Sequence, residues 1–448
     1  GYVDELEAVK ALLGGDEALA RKLLSTHGVK TRLATGSIAD GIQWAKSLGM
    51  NGKMLLTFLS DCVVARISEP AFRAAVSALS EAWNLSVKQI VTLFSTDSVA
   101  SRIEQPGFVT AIRDVVTEYS LSTEQLVTLL NNNSVASRIE QSEFVTAIRD
   151  VVAEYSLSTE QLVTLLNNNS MASRIEQPEF VTAIRDVVAE FSLSTEQVVT
   201  LIGTDSVASR IEQPGFVTAI RDVVAEFSLG TEQIVTLFST DSVASRIEQP
   251  GFVTAIRDVV AEYSLSTEQM VTLFSTDSVA SRIEQPGFVT AIRDVVAEFS
   301  LSTEQMVTLF STSSVASRIE QPGFVTAIRD VVAEFSLGIE QIVTLIGTSS
   351  VASRIEKPAF LVAVHTLASA LGGAGAITML TCGNPFVCRL VDDKSVAGRV
   401  ARIANHLNSH GIDGVAKLKT LLHKNAAIMK KLSKLETLLT SHTSKEGL

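Results

Sequence analysis

Apolar residues along the 448-residue chain recur at helical spacing inside a block that is itself repeated. Within residues 121–156, Ser122-Thr123-Glu124-Gln125 has the spacing of a capping box and opens the apolar run Leu-Val-Thr-Leu-Leu, which predicts a short first helix. The polar stretch Asn131-Asn132-Asn133-Ser134 breaks that helix. The pattern then restarts with Val135, Ala136 and Ile139, predicting a second helix of about two turns. In the preceding block Pro106 stands where a helix opens, and Phe108, Ile112, Val115, Val116 and Tyr119 follow at 3.6-residue spacing. This third helix is the longest. No window alternates apolar and polar residues over a strand length, so the expected fold class is all-α.

The string SVASRIEQPGFVTAIRDVVAEFS returns with a period of 36. With the leucine before STEQ as position 1, units begin at Leu85, Leu121, Leu157, Leu193, Leu229, Leu265, Leu301 and Leu337, so eight units fill residues 85–372. The register persists in degraded form at Arg66-Ile67 and at Arg389-Leu390. Three short helices cannot bury their apolar faces alone, and terminal repeats must cover an exposed end. The expectation is a right-handed superhelical solenoid with N-terminal degenerate capping repeats over 1–84, the array over 85–372, and C-terminal degenerate repeats with a basic helical cap over 373–448.

In so uniform an array the residues that change carry the information. Core position 6 changes only among Ile90, Leu126, Val198 and Met270, which are similar in volume. Position 13 changes in hydrogen-bonding type: Asp97, Asn133, Asn169, Asp205, Asp241, Asp277, Ser313 and Ser349. Asp only accepts, Asn donates and accepts, and Ser is small and does either. Those differences are the ones that separate base edges in the DNA major groove, so the stack could read a polymer one monomer at a time.

The segment LSTEQVVTLIGTDS at Leu193–Ser206 resembles the opening of a transcription activator-like effector repeat. The resemblance covers the first helix and the loop of all eight units. It implies that position 13 faces the base while position 12 (Thr96, Asn132, Asn168, Thr204, Thr240, Thr276, Thr312 and Thr348) braces the loop. It further implies that Asp favours cytosine, Asn favours guanine or adenine, and Ser is permissive. The family follows its variable pair with Gly-Gly and Lys-Gln, where this chain has Ser98-Val99-Ala100-Ser101, and the second half of the unit shares no motif with it. One cation per unit near the loop remains to meet phosphate: Arg102, Arg138, Arg174, Arg210, Arg246, Arg282, Arg318 and Arg354.

Two competing readings stand beside these. Asp, Asn and Ser are also preferred N-cap residues, so position 13 could cap the second helix unless Ser98 and its equivalents do so. The arginines, Arg113 among them, could pair with Glu104 or Asp114 in surface ladders. Charge weighs against nucleic acid. The chain has 37 Lys and Arg against 49 Asp and Glu; the eight units hold 17 and 35 of these, a formal −18 that leaves +6 to the flanks. Phosphate binding requires segregated charge, with help from Arg399, Arg402, Lys417, Lys419, Lys424, Lys430, Lys431 and Lys434. The expected partner is double-stranded DNA, bound by a monomer. The alternative is a non-enzymatic scaffold holding a basic protein or peptide on its concave face, with single-stranded RNA behind both.

No catalytic arrangement is legible, because the histidines lie outside the array except for His365, so no enzyme is expected. Cys382, Cys388, His406 and His410 miss the usual zinc spacings, so the expectation is buried thiols with neither metal nor cofactor. No uninterrupted apolar run approaches the roughly 18 residues of a membrane span, and the acidic start lacks the apolar stretch of a signal peptide, so neither anchor nor signal peptide is expected. Three sparse cysteines fit an intracellular reducing compartment, the nucleoid or nucleus if DNA is bound.

Overall fold

The computed structural model describes residues 2–14, 16–25, 28–30, 32, 38–382, 384–393, 395–424 and 431–443. Every regular element among them is a helix. In the unit at 121–156 the capping box closes in both directions. Ser122 Oγ accepts from the Gln125 N–H at 3.2 Å and Gln125 Oε1 accepts from the Ser122 N–H at 2.9 Å. The first helix therefore runs Thr123–Asn131. Where glycine replaces the serine, as at Gly230, only the return bond from its N–H to Gln233 Oε1 remains.

The second helix is shorter than the pattern predicts. It spans Asn133–Ala136 in one unit and at most Asp97–Arg102 in another. The chain leaves the second helix through a turn to an extended glutamine that opens the third helix, and it does so with or without proline: Gln105 before Pro106 and Gln141 before Ser142 both have φ −83 and ψ 121. Pro106 then occupies the first turn of Pro106–Tyr119, where its missing N–H costs nothing. Ser120 ends this helix in the left-handed region at φ 51, and the Leu121 N–H closes onto Val116 O at 3.0 Å. Serine holds the same conformation at 156, 192, 228, 264, 300 and 336.

Helical periodicity sends one phenylalanine per unit inward: Phe108, Phe144, Phe180, Phe252, Phe288 and Phe324 are all completely buried. Each such burial contributes roughly 2–3 kcal/mol. Neighbouring first helices pack on one another, as do neighbouring second helices, which is the contact pattern of a repeat array. A further tie crosses a whole unit, since Thr159 Oγ1 donates to Tyr119 O and Thr195 Oγ1 to Tyr155 O, both at 2.9 Å.

The chain divides into two compact units, Gly1–Val217 and Thr218–Leu448. The first opens with Tyr2–Leu12, Glu17–Ser25 and Ile38–Ser47, followed by a triplet in array order: Gly52–Phe58, Asp61–Val64 and Pro70–Ala82. The second closes with Pro358–Leu380, Asn384–Asp392, Ser395–Ser409, Gly414–Lys424 and Leu432–Thr443. Pro358–Leu380 corrects the sequence reading of membrane spans, being long and apolar enough to qualify by length and composition. The helix is broken within that length by Gly372, at φ 75 and ψ 166. Phe360, Leu367 and Met379 are buried inside the protein.

Candidate nucleic-acid interface

The cap of the second helix decides what position 13 is free to do. That cap is position 12. Thr96 and Asn132 have extended backbone there, and Asn132 Oδ1 accepts from the Ser134 N–H at 2.9 Å. Asn168 Oδ1 likewise accepts from the Met171 N–H at 3.0 Å. Neither position 13 nor Ser98 is the cap, which corrects both capping alternatives. Asp97, Asn133, Asn169, Asp205, Asp241, Asp277, Ser313 and Ser349 are each the first residue of their helix, and all eight are exposed.

Position 12 also reaches across the junction to the following unit. Thr240, Thr276 and Thr312 donate through Oγ1 to Ser275 O, Ser311 O and Gly347 O at 3.1–3.3 Å. Asn132 Nδ2 donates to Leu166 O and Asn167 O, and Asn168 Nδ2 to Gly203 O. Thr96 Oγ1 bonds Asn131 Oδ1 at 3.1 Å. Thr204 and Thr348 bond back to Thr200 O and Thr344 O of their own first helices.

The position-18 arginines lie on the same junctions. Arg138 Nη1 donates to Ser173 O at 2.8 Å and pairs with Glu176 at 3.1 Å; Arg174 does the same with Ser209 O and Glu212. Arg102, Arg246 and Arg282 reach Ser137 O, Ser281 O and Ser317 O, and Arg318 pairs with Glu356. The column starts one period before the array, where Arg66 meets Ser101 O and Glu104. At the far end Arg354 meets Ser350 O, Ser353 Oγ and Cys388 Sγ. About a third of each paired side chain is exposed. Only Nη1 is engaged in Arg102, Arg138, Arg174, Arg246, Arg282 and Arg318, so the Nε and Nη2 edge has no partner among the described residues.

A second column, at position 29, pairs with the unit before it instead of with Asp114 or its equivalents. Arg149 grips Glu118 in a two-pronged contact of 2.6 and 2.8 Å, and Arg185 grips Glu154 at 2.6 and 2.7 Å. Arg293 repeats this with Glu262, and Arg257 and Arg329 with Glu226 and Glu298. The arginine hydrogen bonds hold Glu118, Glu226, Glu262 and Glu298 below the usual carboxylate range. Opposite charges 31 and 38 residues apart were the signal for these ladders, visible only once the period is known. Between successive third helices run grooves edged by carboxylates; one is lined by Asp294, Glu298, Glu320 and Arg329.

In the C-terminal flank Lys417, Lys419, Lys431 and Lys434 are exposed, while Arg399 and Arg402 share Glu436. Lys430 lies outside the described residues, as does the side chain of Lys424. Cys382 is buried, Cys388 faces Arg354, and the His406 and His410 rings stack at 4.5 Å. No group of three His, Cys, Asp or Glu is placed to hold a metal ion among the described residues. Comparison with the models of known protein families and with curated proteins finds no match to this chain.

Proposed function

We propose that this chain is a non-enzymatic reader of double-stranded DNA, a monomer related in design to the transcription activator-like effectors. In this reading the units wind as a right-handed superhelix about the duplex and position 13 of each meets one base. The observation that carries it is the exposed polar column at position 13, one residue past the helix cap, where side chains differ in hydrogen-bonding type. A well-placed contact of this kind discriminates bases by roughly 1–3 kcal/mol. The Nε and Nη2 edges of Arg102, Arg138, Arg174, Arg246, Arg282 and Arg318 supply cations along the column for phosphate. The exposed lysines of the C-terminal flank add to it, against an array whose formal charge is −18. Three free thiols suit a reducing intracellular compartment, the nucleoid or nucleus. A fluorescence titration with duplex at low salt tests the reading. Binding should weaken steeply as salt rises, and Asp97→Asn should change the preferred base at one position and no other. Absence of duplex binding at low salt refutes it.

The carboxylate-edged grooves and the glutamates closing both arginine columns favour a second reading, a scaffold for a basic peptide or protein. Titration with a labelled Lys- and Arg-rich peptide separates the two. Peptide binding that survives while duplex binding is absent selects the scaffold.

A further inference from the structure

Resting on the reading that position 13 meets a base, we infer that the serine at position 14 is a positioning residue for the reader of the next unit at Asn133, Asn169, Asp277 and Ser349. Position 14 is serine in all eight units, although its neighbour at 13 varies. Ser98 Oγ donates to Asn133 Oδ1, one unit ahead. Ser134 Oγ donates to Asn169 Oδ1 at 2.6 Å. The Ser242 N–H donates to Asp277 Oδ1 at 3.3 Å, and Ser314 Oγ meets Ser349 Oγ at 2.6 Å. Cys62 lies one period before Ser98, and burial first and the neighbouring Asp97 next push its thiol up.

Where it forms, through the serine hydroxyl at Asn133, Asn169 and Ser349 and through the backbone N–H of Ser242 at Asp277, this contact fixes what the reader shows to solvent. A serine hydroxyl has one hydrogen, and when Ser134 gives it to Oδ1 the Asn169 amide is held with its oxygen toward the protein. Nδ2 then points its two N–H donors away, with no partner among the described residues. Donors of this kind match N7 and O6 of guanine or N7 of adenine. In Asp277 one oxygen is held and the other is left to accept, which matches the cytosine amine. In Ser349 either hydroxyl can be the donor of the shared bond, so the exposed face is undefined and the position tolerant. The serine hydroxyl thus sets asparagine for purine and leaves serine loose, while at Asp277 the backbone N–H of Ser242 plays that part for cytosine. It also makes specificity directional, each reader depending on the unit before it and not on the unit after.

The test uses the full chain and labelled duplexes carrying its preferred sequence from a randomised-pool selection, with the base pairs met by Asn133 and Asn169 each varied through all four choices. In Ser134→Ala the purine preference at the Asn169 step should fall about threefold to tenfold, the scale of one lost hydrogen bond. The preference at the Asn133 step, read by the mutated unit itself, should not move. Ser134→Thr keeps the hydroxyl and should restore the parent ranking. Unchanged preference at the Asn169 step in a variant that still binds overturns the inference while leaving the DNA reading intact. Equal weakening at every step with the ranking preserved overturns it too, by marking Ser134 as structural only. A parent chain that binds no duplex in the pool removes the underlying reading, and this inference with it.

Discussion

Two arginines of one unit, Arg138 and Arg149, should differ in their effect on stability although both are ion-paired. Arg138 is 28% exposed and divides Nη1 between a neighbouring helix carbonyl and Glu176, itself 24% exposed. Arg138→Met removes a charged hydrogen bond worth about 1.5–3 kcal/mol when well shielded. It leaves the Ser173 carbonyl and the Glu176 carboxylate half-buried without that donor. Discounting for the exposed third, the expected cost is about 1–2 kcal/mol. Arg149 is 53% exposed, so Arg149→Met forfeits only a solvent-screened pair and should cost less than Arg138→Met. A repeat array opens locally, so the assay is native-state hydrogen exchange resolved to the two junctions of the unit at 121–156, with 157–192 for Arg138 and with 85–120 for Arg149. Exchange at its own junction should speed up more in Arg138→Met than in Arg149→Met. At about 1 M salt, where the Debye length is near 3 Å, the Arg149 effect should fade and the Arg138 effect persist. Equal costs, or a larger one for Arg149, refute the assignment of the position-18 column as a junction brace.

Tyr155 buries a hydroxyl that has no partner, and phenylalanine fills the same place at Phe191 and Phe227, so Tyr155→Phe should be neutral or stabilising by up to about 1 kcal/mol in thermal unfolding. Burial pushes the Tyr155 phenol up to about 12, above its ordinary 10. The unfolded phenol ionises first, so stability should fall as pH rises above 10, and less so in Tyr155→Phe. At the acid end, Glu118, Glu226, Glu262 and Glu298 sit below their ordinary 4.5 in the folded chain. Their contribution is complete above that value and lost as pH falls through the depressed folded one. Replacing the four by Gln should flatten the melting temperature's dependence on pH in that range. Burial raises the Cys382 thiol to about 11, so alkylation near neutral pH should reach it only on unfolding, as mass spectrometry of the modified peptide will show.

The helices were legible because capping boxes, proline positions and 3.6-residue spacing are local, and Ser122 with Gln125, Pro106 and Phe108 all fall where the pattern puts them. Two features were not. The length of the second helix depends on the turn that brings the chain to the extended residue capping the third helix, Gln105 or Gln141, and periodicity does not show where that turn begins. The helix cap at Thr96 and Asn132, one residue before the expected candidates, depends on backbone angles that any of several polar residues would support. The junction chemistry was hidden for a different reason. Arg138 with Glu176, Arg149 with Glu118, and Ser134 with Asn169 are more than thirty residues apart, and only stacking brings them together. The long segment Pro358–Leu380 escaped notice because His365 and the paired glycines interrupt its apolar run in sequence, and Gly372 breaks the helix at the same place.

The measurement closest to the central claim is selection of duplexes from a randomised pool by the full chain, sequenced and aligned. Enrichment of an eight-position motif is predicted, with cytosine where Asp97, Asp205, Asp241 and Asp277 stand, purine at Asn133 and Asn169, and little preference at Ser313 and Ser349. A pool that emerges unenriched, or a motif whose positions do not change when position 13 is exchanged between Asp and Asn, contradicts the account.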